Sequence, residues 1–338
     1  MEIEASQIKY GGGKTLLFDL LDYLHTTNCT AIVWIGNMPI YNEIYEKYGS
    51  YFDLRHTTIM STLMRYMRHR NRILFFCSIP PMVRCKKSLV YFHNLHYAKS
   101  FSECLWHLRN KQITKFLKIC FYRCWISLFK NNCDYYGCQT TDIANQLARE
   151  YKIQPMLLPF FSLLPYRKKE RKYDFCYISY PYPHKNHSTL LNAIDILAEK
   201  QQFNIILTVP NEQKQSILLK RIDEINNKYG REIIINVGAL SRQEVFELYS
   251  MSRFLIFPST LETLGLPLIE AQHCGLKILS SNLAFSHACI ENAVTFNPLD
   301  EFDISKVMRN ALIGKYNDIK QKCLIPNCAD KIINIIMN

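Results

Sequence analysis

A chain of 338 residues, 48% hydrophobic and 21% charged, is too long for one small core and suits two domains, and this composition excludes a fibrous or disordered protein. The net charge of +12 is uneven: residues 1–165 carry 20 Lys and Arg against 11 Asp and Glu, and residues 166–338 carry 21 against 18, so a positive field that attracts anionic partners belongs to the first half. No apolar run reaches the roughly 18 residues needed to cross a bilayer, and MEIEASQIKY has acids where a signal peptide needs bases, so the expectation is a cytoplasmic protein.

Apolar and amphipathic segments alternate from the start. A strand near Ile3–Ile8 is followed by a helix over Lys14–His25, a strand over Cys29–Ile35 and a helix near Ile40–Lys47. Further strands are predicted over Tyr51–Arg55, Arg72–Cys77 and Leu89–His93, with a helix over Ser61–His69. A basic and aromatic helical stretch runs from Ser100 to Lys130, then a strand over Asp134–Cys138, a helix over Thr141–Tyr151 and a short strand before Pro159. The charged, proline-led segment Pro165–Asp174 reads as the domain linker. Alternation then resumes: strands at Asp174–Tyr180, Asn204–Val209 and Glu232–Val237, separated by helices at Asn186–Lys200, Glu212–Tyr229 and Arg242–Ser250. Strands alternating with helices imply parallel sheets covered on both faces.

The stretch that organises the second half is RFLIFPSTLETLGLPLIEAQHCG, residues 253–275. The apolar run Arg253–Phe257 is a buried strand, and Pro258 closes it because proline has no amide to continue a ladder. A polar loop leads to Gly265 and Pro267, which open an apolar helix that Gly275 ends. After it come a strand at Lys277–Ser280, a short helix near Phe285–Ile290, a strand at Ala293–Phe296, a helix at Ile304–Ile313 and a last helix at Asn327–Met337. Free amides at a helix start, placed at the carboxyl end of a parallel strand, form an anion site. Two carboxylates flank that turn, Glu262 and Glu270. Carboxylates repel phosphate but accept hydrogen bonds from sugar hydroxyls, so phosphate plus hydroxyls points to a nucleotide sugar.

Glu262 and Glu270 with seven residues between them, G-L-P inside the pair and A-x-x-C-G after it, resemble the signature of retaining glycosyltransferase family 4, of the bacterial surface-polysaccharide type. The resemblance extends over residues 172–315 and more faintly over the first half. It implies the GT-B fold: α/β, two Rossmann-like doubly wound parallel-sheet domains facing a central cleft. The domains would be an acceptor-binding one at 1–165, a nucleotide-sugar-binding one at 166–325, and a C-terminal helix at 326–338 crossing back to the first. By position, Glu262 would lie against the donor sugar, Glu270 would bind the ribose hydroxyls, and the amides of Leu264, Gly265 and Leu266 would hold the diphosphate. The base would lie near Gly238 to Leu240. Lys185 would neutralise the departing diphosphate, although the arginine the family usually carries six residues earlier is Ser179 here.

His93 ends an apolar strand, and the resemblance gives it an approach to the donor sugar; the competing readings are a structural histidine, or His96 in that role. Gly11–Gly13 before Lys14 invite a P-loop reading, but the glycine that motif requires five residues before Gly13 is Ile8. A tight turn, or close backbone approach of Gly12 and Gly13 to donor or acceptor, remains. Ser100–Lys130, with Lys111, Lys115 and Lys118 among Trp106, Phe116 and Phe121, reads as a core face beside a solvated face, as a contact with an anionic membrane, or as a nucleic-acid surface. Thirteen cysteines without a C-x-x-C pair read as reduced, buried thiols.

The expected activity is therefore sugar transfer from a nucleoside-diphosphate sugar to a hydroxyl of a glycan, lipid-linked, acceptor, with retention and without a covalent nucleophile. No D-x-D motif is present, so no metal and no cofactor are expected, and nucleic acid is not an expected partner. Peripheral contact with the inner face of an anionic membrane through the basic first half is. The alternatives are a noncatalytic nucleotide-sugar-binding subunit, favoured by Ser179, or a hydrolase or epimerase of nucleotide sugars.

Overall fold

The computed structural model describes residues 1–9, 12–93, 105 and 112–338. Two units divide the chain: Met1–Ser162 with Pro326–Asn338, and Leu163–Ile325. The first unit runs β1 (Glu2–Glu4), α1 (Gly12–Thr26), β2 (Ile32–Ile35), α2 (Met38–Tyr48), β3 (Asp53–His56), α3 (Ile59–Tyr66), β4 (Asn71–Phe75), β5 (Lys86–Phe92), α4 (Ile113–Phe129), β6 (Tyr135–Cys138), α5 (Thr141–Tyr151) and β7 (Met156–Leu157). All seven strands are parallel, in the order β3-β2-β1-β4-β5-β6-β7. Helices cover both faces of such a sheet, which is why central strands read as continuous apolar runs. In β5, Leu89, Val90, Tyr91 and Phe92 are all fully buried.

Turn chemistry sets the ends. Asn37 caps α2 by accepting from the Ile40 amide at 3.1 Å, and Thr140 caps α5. Strand β1 is shorter than the sequence predicts. The Ile8 amide turns back to the Ala5 carbonyl at 3.1 Å, so the chain leaves the ladder early. The C-terminal helix Ala329–Met337 belongs to this unit: Ile332, Ile333 and Ile336 are buried in the core with Leu20, Leu74 and Tyr91. Its entry is fixed by the Cys328 amide on the Pro159 carbonyl at 2.8 Å and by the Asn327 side-chain amide on the Phe161 carbonyl at 2.6 Å.

The second unit runs β8 (Tyr173–Tyr177), α6 (His187–Ala198), β9 (Ile205–Leu207), α7 (Ser216–Tyr229), β10 (Ile234–Asn236), α8 (Arg242–Met251), β11 (Ser252–Phe257), α9 (Leu266–His273), β12 (Lys277–Ser281), α10 (Ala284–Cys289), β13 (Ile290–Glu291), β14 (Val294–Phe296), α11 (Glu301–Leu312) and β15 (Lys322–Cys323). Six parallel strands take the order β10-β9-β8-β11-β12-β14. An antiparallel ribbon of β13 with β15 was not legible in the sequence, because two-residue strands carry no periodicity. The basic segment before β8 is fastened rather than free: Arg171 donates to the carbonyls of Tyr249, Ser250, Ser252 and Cys274, collecting carbonyls at the ends of α8 and α9.

In both sheets the strand order reverses at one place, between β1 and β4 and between β8 and β11. At such a switch point the loops leaving the two strands part to opposite faces, and the space at the carboxyl ends takes ligands.

Candidate active site

In the second unit, the two strands at the switch point send out the loops that carry the predicted acid and base. After β8 the chain makes a tight turn at Pro183–Lys185 and passes through Asn186 at a left-handed φ of 59° into α6. Asn186 tolerates that conformation and uses its side chain to tie the loops together. Its amide nitrogen donates to the carbonyls of Pro258 at 3.2 Å and Pro298 at 2.6 Å. The loop after β11 answers with the Thr260 amide on the His184 carbonyl at 2.8 Å and the Ser259 hydroxyl on the same carbonyl at 3.2 Å. Tyr177, buried at the end of β8, donates to the Lys185 carbonyl at 2.6 Å.

This bracing brings Lys185 Nζ to 2.5 Å from Glu262 Oε1, with the side chains 15% and 11% exposed. Nζ also lies 5.4 Å from the centre of the Phe257 ring. Residues 77 positions apart thus form one ion pair against an aromatic floor, largely removed from water, where a charge interaction is stronger than at a wet surface.

Between the two glutamates the chain turns at Gly265, whose φ of 74° is left-handed. A Cβ there would stand 3.1 Å from Leu268 Cδ1. Pro267 follows in the first turn of α9, where a missing amide costs nothing. The amides of Leu264, Gly265 and Leu266 donate to no described residue; the Leu264 side chain is buried and Leu266 half-buried. Gly265→Ala is expected to cost about 1–3 kcal/mol, read as a melting temperature lower by several degrees, together with weaker nucleotide binding by isothermal titration. An unchanged melting temperature would remove the assignment of strain to this turn.

Glu270, 8% exposed, lies one helical turn further on. Arg242 Nη2 reaches its Oε1 at 3.2 Å. Arg242 opens α8, whose start is fixed by a capping box: the Ser241 amide donates to Glu244 at 2.7 Å and the Glu244 amide to the Ser241 hydroxyl at 3.4 Å. The sequence reading missed Arg242. The S-x-x-E signal places it in a first helical turn, but nothing in the sequence says that this turn faces Glu270. Gly238, at φ 72° with open space where a Cβ would stand, and half-buried Leu240 lie in the loop that leads to it.

Ser179 donates its amide to Thr208 Oγ1 at 3.0 Å and its hydroxyl to the Tyr180 carbonyl at 3.2 Å, so no cation stands at that position. Instead the loop carries a row of rings, Tyr180 to Tyr182 at 4.7 Å and Tyr182 to His184 at 5.8 Å and nearly parallel. His187, its ring tilted at 38° to that of Tyr177 with centroids 4.7 Å apart, is held at a pKa of about 4, first by burial and then by the Lys185 ammonium. His184 is shifted down by the same two causes, opposed by Glu262.

The other assigned positions belong to the first unit. A Cβ on Gly13 would stand 3.0 Å from His93 Nε2, whereas one on Gly12 would meet nothing within 4 Å. The His93 ring stacks 5.2 Å from Phe76, its Nδ1 is buried with no hydrogen-bond partner among the described residues, and burial lowers its pKa to about 4. It is a neutral histidine packed against a helix start. Gly11, His96, Trp106 and Lys111 lie outside the described residues. Among the described residues no group of three or more His, Cys, Asp or Glu side chains could hold a metal ion, and no helix is long and apolar enough to cross a membrane.

Residues 165–308 match the family model described as Glycosyl transferases group 1. The match takes in less than half of the chain. The matched segment includes Lys185, Arg242, Glu262 and Glu270, the side chains gathered above. Over 150 residues the chain is 35% identical to the serotype-specific mannosyltransferase WbdA of Escherichia coli, a match that covers 42% of this chain and 18% of that protein. It is 23% identical over 145 residues to the O-antigen chain mannosyltransferase RfbU of Salmonella typhimurium, covering 43% of this chain and 40% of RfbU. The matches thus span under half the length of these curated relatives. Among solved structures, WaaG, a glycosyltransferase involved in lipopolysaccharide biosynthesis, aligns over 100% of this chain and 99% of its own with a TM-score of 0.70 and 14% identity. That likeness shows the fold of the chain: GT-B, with two Rossmann-like α/β units.

Proposed function

We propose that the protein is a retaining glycosyltransferase of surface-polysaccharide synthesis, moving a hexose, mannose by analogy with WbdA and RfbU, from a nucleoside-diphosphate sugar to a hydroxyl of a lipid-linked glycan. The observation that carries this reading is the Lys185–Glu262 pair at 2.5 Å, built by the two loops that flank the switch point. The two partners suit the two parts of the donor. Diphosphate takes the ammonium and sugar hydroxyls take the carboxylate, so the substrate exchanges an internal ion pair for two charge-assisted contacts. The turn at Gly265 adds peptide amides for the phosphate oxygens. Glu270, positioned by Arg242, accepts from the ribose hydroxyls, and the loop of Gly238 and Leu240 takes the base.

Cleavage of the sugar–phosphate bond leaves positive charge at the anomeric carbon and negative charge on the diphosphate. Lys185 and the amides stabilise the second; Glu262 holds the sugar. The leaving phosphate takes the proton of the acceptor hydroxyl on the same face, so no covalent nucleophile is assigned. No metal is required for a charge met this way. The first unit, with its basic surface and with His93 beside Gly13, is assigned the acceptor.

The test is release of nucleoside diphosphate from nucleoside-diphosphate mannose, with and without glycan acceptor, in the presence and absence of EDTA. Release that requires acceptor and ignores EDTA is expected. Release without acceptor would make the protein a hydrolase, and none under either condition would leave a binding subunit.

A further inference from the structure

The loop after β8 carries more rings than its bracing uses. From Tyr180 to His184, rings and prolines alternate: Tyr180, Pro181, Tyr182, Pro183, His184. Both prolines fix their φ. The Tyr182 amide donates to the Tyr180 carbonyl at 2.8 Å, and the Lys185 amide donates to the Tyr182 carbonyl at 2.8 Å. The rings therefore stand in a set row, Tyr180 to Tyr182 at 4.7 Å and Tyr182 to His184 at 5.8 Å with planes 6° apart. Tyr177, earlier on β8, is fully buried and serves the core. Tyr182 is instead 44% exposed, and Tyr180 and His184 are half-buried. A ring ordered on the backbone but left in water loses little freedom when a ligand is laid on it.

An ion pair marks each end of the row. At one end the Tyr180 hydroxyl donates to Glu212 at 3.0 Å, and Lys214, paired to Glu212 at 2.8 Å, lies 5.1 Å from the centre of the Tyr180 ring. At the other end His184 precedes Lys185, which is paired with Glu262. Each of these lysines is thus matched by a carboxylate. His184, shifted down by burial and then by the Lys185 ammonium, is uncharged at neutral pH. The surface is aromatic, without net charge, and edged by hydroxyl and carboxylate oxygens.

We propose that this row is a track for a neutral glycan chain, the acceptor oligosaccharide, whose sugar rings lie on Tyr182 and its neighbours as the chain extends away from the Lys185–Glu262 pair. A pyranose carries C–H bonds on its faces and hydroxyls round its edge. The slightly positive C–H bonds meet the negative face of an aromatic ring, and the hydroxyls donate to the oxygens beside it. The steps between rings, 4.7 and 5.8 Å, are comparable with the advance of a glycan per residue, so successive sugars find successive rings. A nucleic acid would need cations free to take its phosphates, and both lysines here are paired. The track rests on the glycosyltransferase reading for its direction and purpose. It adds the class of acceptor: the residue that reacts stays with the first unit, and the row takes residues further along the same chain.

Titration calorimetry of the full chain, with nucleoside diphosphate present, compares methyl α-mannoside with α-mannotriose. Affinity should rise about tenfold from the first to the second in wild type. The same rise is expected in Tyr182→Phe, which keeps the ring, and none in Tyr182→Ala, while nucleoside diphosphate binds all three proteins alike. A wild type that binds the trisaccharide no better than the monosaccharide, or binds neither, overturns the track, and so does a Tyr182→Ala protein that keeps the rise. Weaker nucleoside diphosphate binding by Tyr182→Ala also overturns it, because the ring would then carry the base or brace the Lys185 loop. Release of nucleoside diphosphate from nucleoside-diphosphate mannose, measured in parallel, separates the two readings. Release with a length dependence untouched by Tyr182→Ala defeats the track alone, and length-dependent binding through Tyr182 without release defeats the glycosyltransferase reading alone.

Discussion

Lys185→Ala is expected to lower turnover about a hundred- to a thousandfold, the largest effect of any single change in the second unit. The size follows from two losses at once. The leaving diphosphate loses the cation that meets its developing charge. Glu262, only 11% exposed and 2.5 Å from Nζ in the intact protein, is left as an unpaired carboxylate facing the incoming phosphates, so donor affinity falls as well. The two losses can be told apart. Adding Glu262→Gln to Lys185→Ala removes the stranded charge, so the double variant should recover part of the donor affinity, read by titration calorimetry, and none of the turnover. Lys185→Arg keeps the charge but not the compact reach of an ammonium, and should fall between. A Lys185→Ala protein that turned over within about threefold of wild type would show that the pair is a structural brace, because a group meeting leaving-group charge cannot be removed so cheaply.

How much of this site was legible depended on whether a residue's task is local or long-range. Glu262, Gly265, Pro267 and Glu270 sit within one strand, turn and helix, and the sequence states each feature: proline where an amide is not needed, glycine where φ must be positive. The φ of 74° at Gly265 is the conformation such a turn requires. Lys185 was legible as a lysine on the loop after a first strand. Its pairing with Glu262 was not, because it depends on Asn186 and His184 holding two loops from distant strands together. Arg242 was missed for the same reason, being visible only once α8 and α9 pack. Strand and helix order survived because central parallel strands are buried on both faces and carry strong apolar runs. Boundaries shifted where single hydrogen bonds decide them, as at Ala5. Helix α3 misleads a periodicity argument: its apolar positions mark the outer face, and the residue that anchors it inward is an arginine.

Lowering the pH from 7 to 5 is expected to destabilise the second unit by about 2 kcal/mol through His187 alone. Its folded pKa is about 4 against an ordinary 6.5. Between those values the unfolded chain binds a proton that the folded one refuses. The stabilisation is therefore complete above about pH 6.5 and is lost as pH falls toward about 4, at about 1.4 kcal/mol per pH unit. His187 is 4% exposed against the Tyr177 ring, and Lys185 sits two residues away, so a proton on it would be both desolvated and repelled. His93, half-buried against Phe76 and shifted down to about 4 by desolvation, adds a term of the same sign to the first unit. The paired carboxylates with lowered pKa, such as Asp195 held down by Lys228, Tyr229 and Arg221, lose their contribution only at lower pH, which keeps the two effects apart. Urea unfolding at half-unit steps, following the transition of the second unit, should show the slope in wild type and a much flatter profile in His187→Phe, which keeps the ring contact and removes the titration. The same proton would bring a second positive charge beside Lys185. Turnover in the His187→Phe variant should accordingly hold constant over the interval in which wild-type turnover changes, and a wild-type stability that stayed level from pH 7 to 5.5 would mean that water reaches this ring and that the loop after β8 is looser than its hydrogen bonds imply.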